Sequence, residues 1–114
     1  MARLINATPH DLHVFDADDT LLCTIPRSGH EFRLVEHSVP FAEVTVDDSS
    51  VTLSEVSYAA VDPPIPAPVE DTWWIVSTLV AEAARDRRDV LFPAGQVRDE
   101  KGRIKGCTHL GRLP

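Results

Sequence analysis

Apolar positions along the chain come in short alternating runs broken by polar turns, the pattern of strands that bury one face. DLHVF (11–15) and TLLCTI (20–25) flank the polar stretch DADD, a hairpin composition. RSG (27–29) makes the next turn, and EFRLVEH (31–37) sets Phe32, Leu34 and His37 in imperfect alternation against charge. FAEVTV (41–46) and VTLSEVSY (51–58) predict a second hairpin around DDSS. DPPIPAP (62–68) holds four prolines. These fix φ and lack an amide donor, so the segment reads as a stiff connector. TWWIV (72–76) is a strand with bulky side chains on both faces, and Ser77 is placed to cap a helix. Residues 78–87 carry the one helical period, with Leu79, Val80, Ala83 and Ala84 as its apolar face. Arg85, Arg87 and Arg88 fall at its carbonyl end, where positive charge suits the dipole. VLF (90–92) is a short strand, and QVRDEKGRIKGC (96–107) is a hairpin with Gly102 in its turn. The expected fold is α+β: mainly antiparallel β hairpins forming a small, partly closed sheet, with one helix packed on it. A length of 114 residues gives a single domain. It is organised as an amino-terminal β meander (1–61), the proline-rich connector (62–68) and a strand–helix–hairpin unit (69–114).

Charge adds an asymmetry to this outline. The formal net charge is −7, yet residues 1–84 hold three arginines and fourteen acids, while residues 85–114 hold eight basic side chains and four acids. The first part is therefore at −11 and the second at +4. An acidic whole argues against general nucleic-acid binding, which phosphate contacts drive. The basic third has the donors for a small anion, or for the acidic part of its own chain or of a second copy, and a homo-oligomer is expected. No run approaches the ~18 apolar residues of a membrane span. The first residues lack the apolar core of a secretion signal, which places the expectation in the cytoplasm with Cys23 and Cys107 reduced.

The stretch VFDADDTLL (14–22) resembles the active-site signature of haloacid-dehalogenase-like phosphatases, where the first Asp attacks phosphorus and the second is acid and base. Asp16 and Asp18 would take those roles. That chemistry needs a parallel sheet with crossover helices, a cation for the phosphate and further acids for Mg²⁺. Here the pair leads into more strands, the first helix arrives near residue 78, and Lys101 and Lys105 lie in a late hairpin. The context is absent, so the pair reads as a solvated turn. Cys107 and His109 would share a strand face, with His10, His13 and Cys23 nearby if the first hairpin neighbours the last strand. Without CxxC or HxxxH spacing, the expectation is structural cysteine and surface histidine, with no metal and no cofactor. Neither Cys23 nor Ser77 has the surroundings of a catalytic nucleophile, and no catalytic residue is assigned. NATPH (6–10) reads either as a terminal strand and turn or as a rim of hydrogen-bonding groups, Asn6, Thr8 and His10. Adjacent strand residues point to opposite faces, so one of Trp73 and Trp74 enters the core. The other is exposed, covered by the connector, or buried at an interface, and a free ring could stack on a nucleobase.

INATPHDLHVFD, IPRSG, WWIVSTLVAEAARDRRDVLFP and VRDEKGRIKGCTHL together resemble a family of short proteins from phages and from bacteria such as actinomycetes. The shared motifs are NxTPH, IPxSG and (W/Y)IVS. The resemblance spans nearly the whole chain; Ala7, Arg27 and Trp74 depart from the usual residues. It brings no known activity, but it implies a phage-linked accessory role. The resulting expectation is a non-enzymatic binding protein, of an anti-defence kind, sequestering an anionic nucleotide-like small molecule in the bacterial host cytoplasm. Arg85, Arg88, Arg98 and Arg103 would hold phosphate through bidentate donors, Trp73 or Trp74 would stack on the base, and Asn6, Thr8 or His10 would read its edge. The alternative is a protein–protein module, a phage inhibitor or assembly accessory meeting a host or phage protein through the Trp surface. A third reading is a small hydrolase using the His and Asp residues.

Overall fold

A computed structural model describes residues 2–114. Eight strands and one helix follow in order: β1 (Arg3–Asn6), β2 (Leu12–Phe15), β3 (Leu21–Ile25), β4 (Arg33–Val46), β5 (Ser49–Asp62), β6 (Thr72–Ile75), α1 (Thr78–Ala83), β7 (Val90–Arg98) and β8 (Ile104–Gly111). Six strands form one sheet in the order β1-β6-β7-β8-β2-β3, while β4 and β5 pair only with each other. The mostly β chain with one helix agrees with expectation, but two features of the sheet do not. It is open, ending at β1 and β3, and it is mixed, because β1–β6, β6–β7 and β2–β8 are parallel. The reason lies in the TWWIV segment. A strand apolar on both faces belongs inside a sheet covered on both sides, and such strands take parallel neighbours through crossovers. Residues 76–89, including α1, make that crossover between β6 and β7.

Strand alternation in β6 divides the core. Trp74 and Val76 pack with Ile5, Ala7, Phe32, Val80, Ala81, Ala84 and Val90 on the helix side. Ile75 points the other way, to Leu12 and Cys107. The helix is shorter than its period suggests, ending at Ala83 rather than 87, and its buried face is Val80, Ala81 and Ala84, with Leu79 left exposed. Ser77 caps it as expected, its Oγ accepting from the Val80 amide at 3.3 Å.

The DADD segment is the turn of the β2–β3 hairpin. Asp16 Oδ1 accepts the Asp18 and Thr20 amides at 2.8 and 3.0 Å. Asp19, at φ 65°, pairs with Lys105 of β8 at 2.9 Å, and Lys105 also lies over the Phe15 ring. The second expected hairpin exists but is far longer than its two runs. EFRLVEH and FAEVTV merge through Pro40 into one fourteen-residue strand, paired along its length with another of fourteen. The register shift between Pro40 and Ala42 leaves Phe41 as the extra residue. Proline, lacking a donor, is tolerated beside such a bulge. Asp47 and Asp48 take φ of 48° and 65°, the positive pair that a two-residue hairpin turn requires.

Candidate functional site

Three motifs separated in sequence meet around Asn6, at the carboxyl end of β1. Asn6 is 1 % exposed. Its Nδ2 donates to the carbonyls of His10 and Ile25, both at 2.9 Å, and its Oδ1 accepts the Thr8 amide at 3.0 Å and the Thr8 hydroxyl at 2.6 Å. The Asn6 carbonyl accepts both the amide (2.9 Å) and the hydroxyl (2.7 Å) of Ser28, and the Ala7 amide donates to the Ile75 carbonyl at 2.8 Å. NxTPH, IPxSG and the Ile-Val-Ser segment therefore interlock. All four hydrogen-bonding sites of the Asn6 amide are used internally, which assigns it to the fold. Thr8 and His10, by contrast, border a depression of about 440 Å³ whose lining includes His13, Gln96, Lys105 and Cys107.

The two tryptophans separate as strand geometry requires. Trp74 is buried edge-on to Phe32 and His30, its ring centroid 5.5 and 5.3 Å from theirs. Its Nε1 is buried without an acceptor. Trp73 is half-buried and lines a cleft of about 450 Å³ between the end of the proline-rich connector and the residues after α1. Pro68, Val69, Arg88, Asp71, Asp86 and Arg112 share that lining. The volume falls within the range of small-molecule sites.

The arginines of the basic third go to different places. Arg87 is bound on three sides: Nη2 meets Asp89 at 2.7 Å, and the guanidinium donates to the carbonyls of Ile65 and Pro66. The Asp89 hydrogen bond holds the Arg87 pKa above its ordinary value. Arg88 and Arg112 have no carboxylate partner among the described residues. Arg88 Nη1 donates to the Leu113 carbonyl at 3.3 Å, and Arg112 Nη1 to the Arg88 carbonyl at 3.2 Å, each leaving further donors free. Arg85 is exposed beyond the helix end. Arg98 and Arg103 are elsewhere. β7 runs eight residue steps from Val90 to Arg98, roughly 26 Å at strand rise, so they lie far from Arg88. There they serve the β7–β8 turn. Arg98 donates to the Gly102 carbonyl at 2.7 Å and Arg103 pairs with Asp99 at 3.1 Å. Asp99 also accepts the Lys101 and Arg103 amides at 2.9 Å, and the Arg103 amide above all holds its carboxyl below the usual aspartate range.

The structure thus brings together Trp73 and Arg88 of the expected ligand set, places Thr8 and His10 at a second depression, and keeps Asn6 and Trp74 inside. Arg112 is the cleft residue that the sequence reading missed. A signal for it existed: the β7–β8 hairpin pairs Gly111 with Phe92, so a basic residue just after that strand returns to the neighbourhood of Arg88. Burial raises the Cys107 thiol pKa. His109 Nδ1 lies 2.9 Å from Thr108 Oγ1 and His13 Nδ1 2.9 Å from Thr24 Oγ1. Among the described residues, no three potential metal ligands come together, and no helix is long and apolar enough to cross a membrane. No family model, curated protein or solved structure matches the chain.

Proposed function

We propose that the chain is a non-enzymatic binding protein whose cleft at Trp73, Arg88 and Arg112 takes an anionic, nucleotide-like small molecule. The observation that carries this reading is the pairing of an accessible aromatic ring with two guanidinium groups that no carboxylate neutralises by direct contact. Indole suits a nucleobase, and the planar fork of arginine suits phosphate. Asp71 and Asp86 on the same rim would exclude a polyanion while leaving room for one phosphate and for ribose hydroxyls. The resemblance to phage and actinomycete proteins makes sequestration of a signalling nucleotide, an accessory task against host defence, the physiological form of this reading.

Calorimetric titration with linear and cyclic nucleotides, and with the unphosphorylated nucleoside as control, tests it. The expected result is saturable binding that needs phosphate, weakened about tenfold to a hundredfold by Arg88→Ala or Arg112→Ala, as charge-assisted bonds imply. Failure of every phosphorylated member to bind the folded protein rejects the reading.

A protein–protein role is favoured by a different observation from the one expected. Among the described residues, most of the large apolar side chains left exposed lie on β4 and β5, whereas only Val69 of them lines the Trp73 cleft.

A further inference from the structure

We infer that the β4–β5 hairpin is an arm that docks on the basic β7–β8 turn of a second copy of this chain. This goes beyond the cleft reading and does not depend on it. Between residues 35 and 60 every side chain is exposed except Ser54, which is half-buried. Nine large apolar residues on the arm lie open: Val35, Val39, Phe41, Val44, Val46, Val51, Leu53, Val56 and Tyr58. The register pairs Val46 with Ser49, Val44 with Val51 and Ala42 with Leu53. Directly opposed and alternate positions share a face, so Ala42, Val44, Val46, Val51 and Leu53 form one apolar strip on the outer half. A two-stranded hairpin by itself is marginal in water, and a monomer rarely exposes more than a few hundred Å² of contiguous apolar surface. The strip needs a cover that its own body does not supply.

Charge identifies the cover. Residues 33–62 hold Glu36, Glu43, Asp47, Asp48, Glu55 and Asp62 against Arg33 alone, one cation against six acids, a net of −5. Two such arms laid only on one another would bring acids together, and an anionic membrane or nucleic acid would be repelled. Within the +4 segment of residues 85–114, the complementary site is the β7–β8 turn, where Arg98 and Lys101 lie together and make no ion pair among the described residues. Among the described residues, no acid of the arm forms an ion pair with either cation within the same chain. In a two-fold pair each arm would lie on the other body, so the contact forms twice.

Sedimentation equilibrium and light scattering on the full chain test this. The wild type is expected at twice 12.6 kDa, and Val44→Asp/Leu53→Asp is expected to weaken association at least about a hundredfold, as loss of a central apolar contact does. Asp47→Lys/Asp48→Lys should weaken it about tenfold, with partial recovery when combined with Arg98→Glu/Lys101→Glu. Hydrogen exchange on the wild type gives a second readout: amides of residues 42–53 facing the partner gain protection as concentration rises. A monomeric wild type with no concentration-dependent protection of the arm overturns the inference. So does an oligomer whose mass and affinity ignore the arm variants. Nucleotide binding can fail with none of these outcomes changing.

Discussion

Asn6 was legible as a polar residue beside Leu4 and Ile5, but its role was not. Its partners are the carbonyl of Ile25, nineteen residues on, and the Thr8 and His10 backbone, and a hydropathy pattern carries no information about which distant carbonyl an amide meets. Asn6→Ala takes the Asn6 partner from the half-buried Ile25 carbonyl and Thr8 amide, at about 1–3 kcal/mol for each, while the Thr8 hydroxyl still donates to the His10 carbonyl. Chemical denaturation should therefore show a loss of about 3 kcal/mol, large for an uncharged polar side chain. Asp16 gives the contrasting case. Its turn composition was readable, and its carboxylate does accept turn amides, so Asp16→Asn and Asp18→Asn should leave ligand affinity in the titration unchanged. The cysteines divide similarly. Cys23 is exposed and Cys107 is 1 % exposed, with its thiol pKa raised by burial. At mildly alkaline pH iodoacetamide should label Cys23 and spare Cys107 until denaturant is added, as peptide mass spectrometry can read directly. Equal labelling of both in the folded protein contradicts the packing described.

Among the elements, the strands were legible and their partners were less so. β6 shows why: its unbroken apolar run specifies burial on both faces, yet the hairpins around it suggested antiparallel neighbours, and only the crossover through α1 makes the pairing parallel. The helix period ran on to residue 87 because Arg85, Arg87 and Arg88 are good helix formers. Tertiary contacts prevailed, since Arg87 instead joins Asp89 and ties the carbonyls of Ile65 and Pro66 to the body. Both members of that pair are mostly buried, at 19 % and 14 % side-chain exposure. Arg87→Ala should cost about 1–3 kcal/mol, the range for leaving its half-buried acceptors, Asp89 and the Ile65 carbonyl, without their donor. It should also open the connector to proteolysis near residues 65–66. At the β7–β8 turn, Asp99 has a folded pKa below its unfolded one. Its contribution is present above the ordinary aspartate pKa and is lost as pH falls through the lowered folded value. Asp99→Asn should remove that part of the acid-side dependence of melting, leaving the neutral-pH profile otherwise similar in shape.

The whole molecule is larger than its length implies. A compact domain of this size has a radius of gyration of about 13 Å, against 17.6 Å here, with extents of 56 × 40 × 27 Å. The difference comes from the arm, whose strands extend about 40 Å at strand rise beyond their base. The sequence made the acidic and basic halves visible but not their separation in space, because two short apolar runs do not reveal that pairing continues through His37 and Ser57 to Arg33 and Asp62. That separation has a thermodynamic consequence. Leu34 and Val61 at the arm's base pack on the core, whereas the outer arm contributes nothing buried to its own chain. Replacing residues 40–54 by a two-residue Asn-Gly turn should therefore leave the isolated body folded. If the arm joins two copies, association stabilises the folded state by mass action, so the wild-type melting temperature must rise with protein concentration. The shortened chain has no such linkage and should melt at one temperature across the same dilution series. At the lowest concentration, where the wild type is dissociated, the two curves should converge within a few degrees. Identical concentration dependence in both chains would place the association elsewhere on the molecule. A shortened chain that melts far below the dilute wild type would show that the arm stabilises its own body.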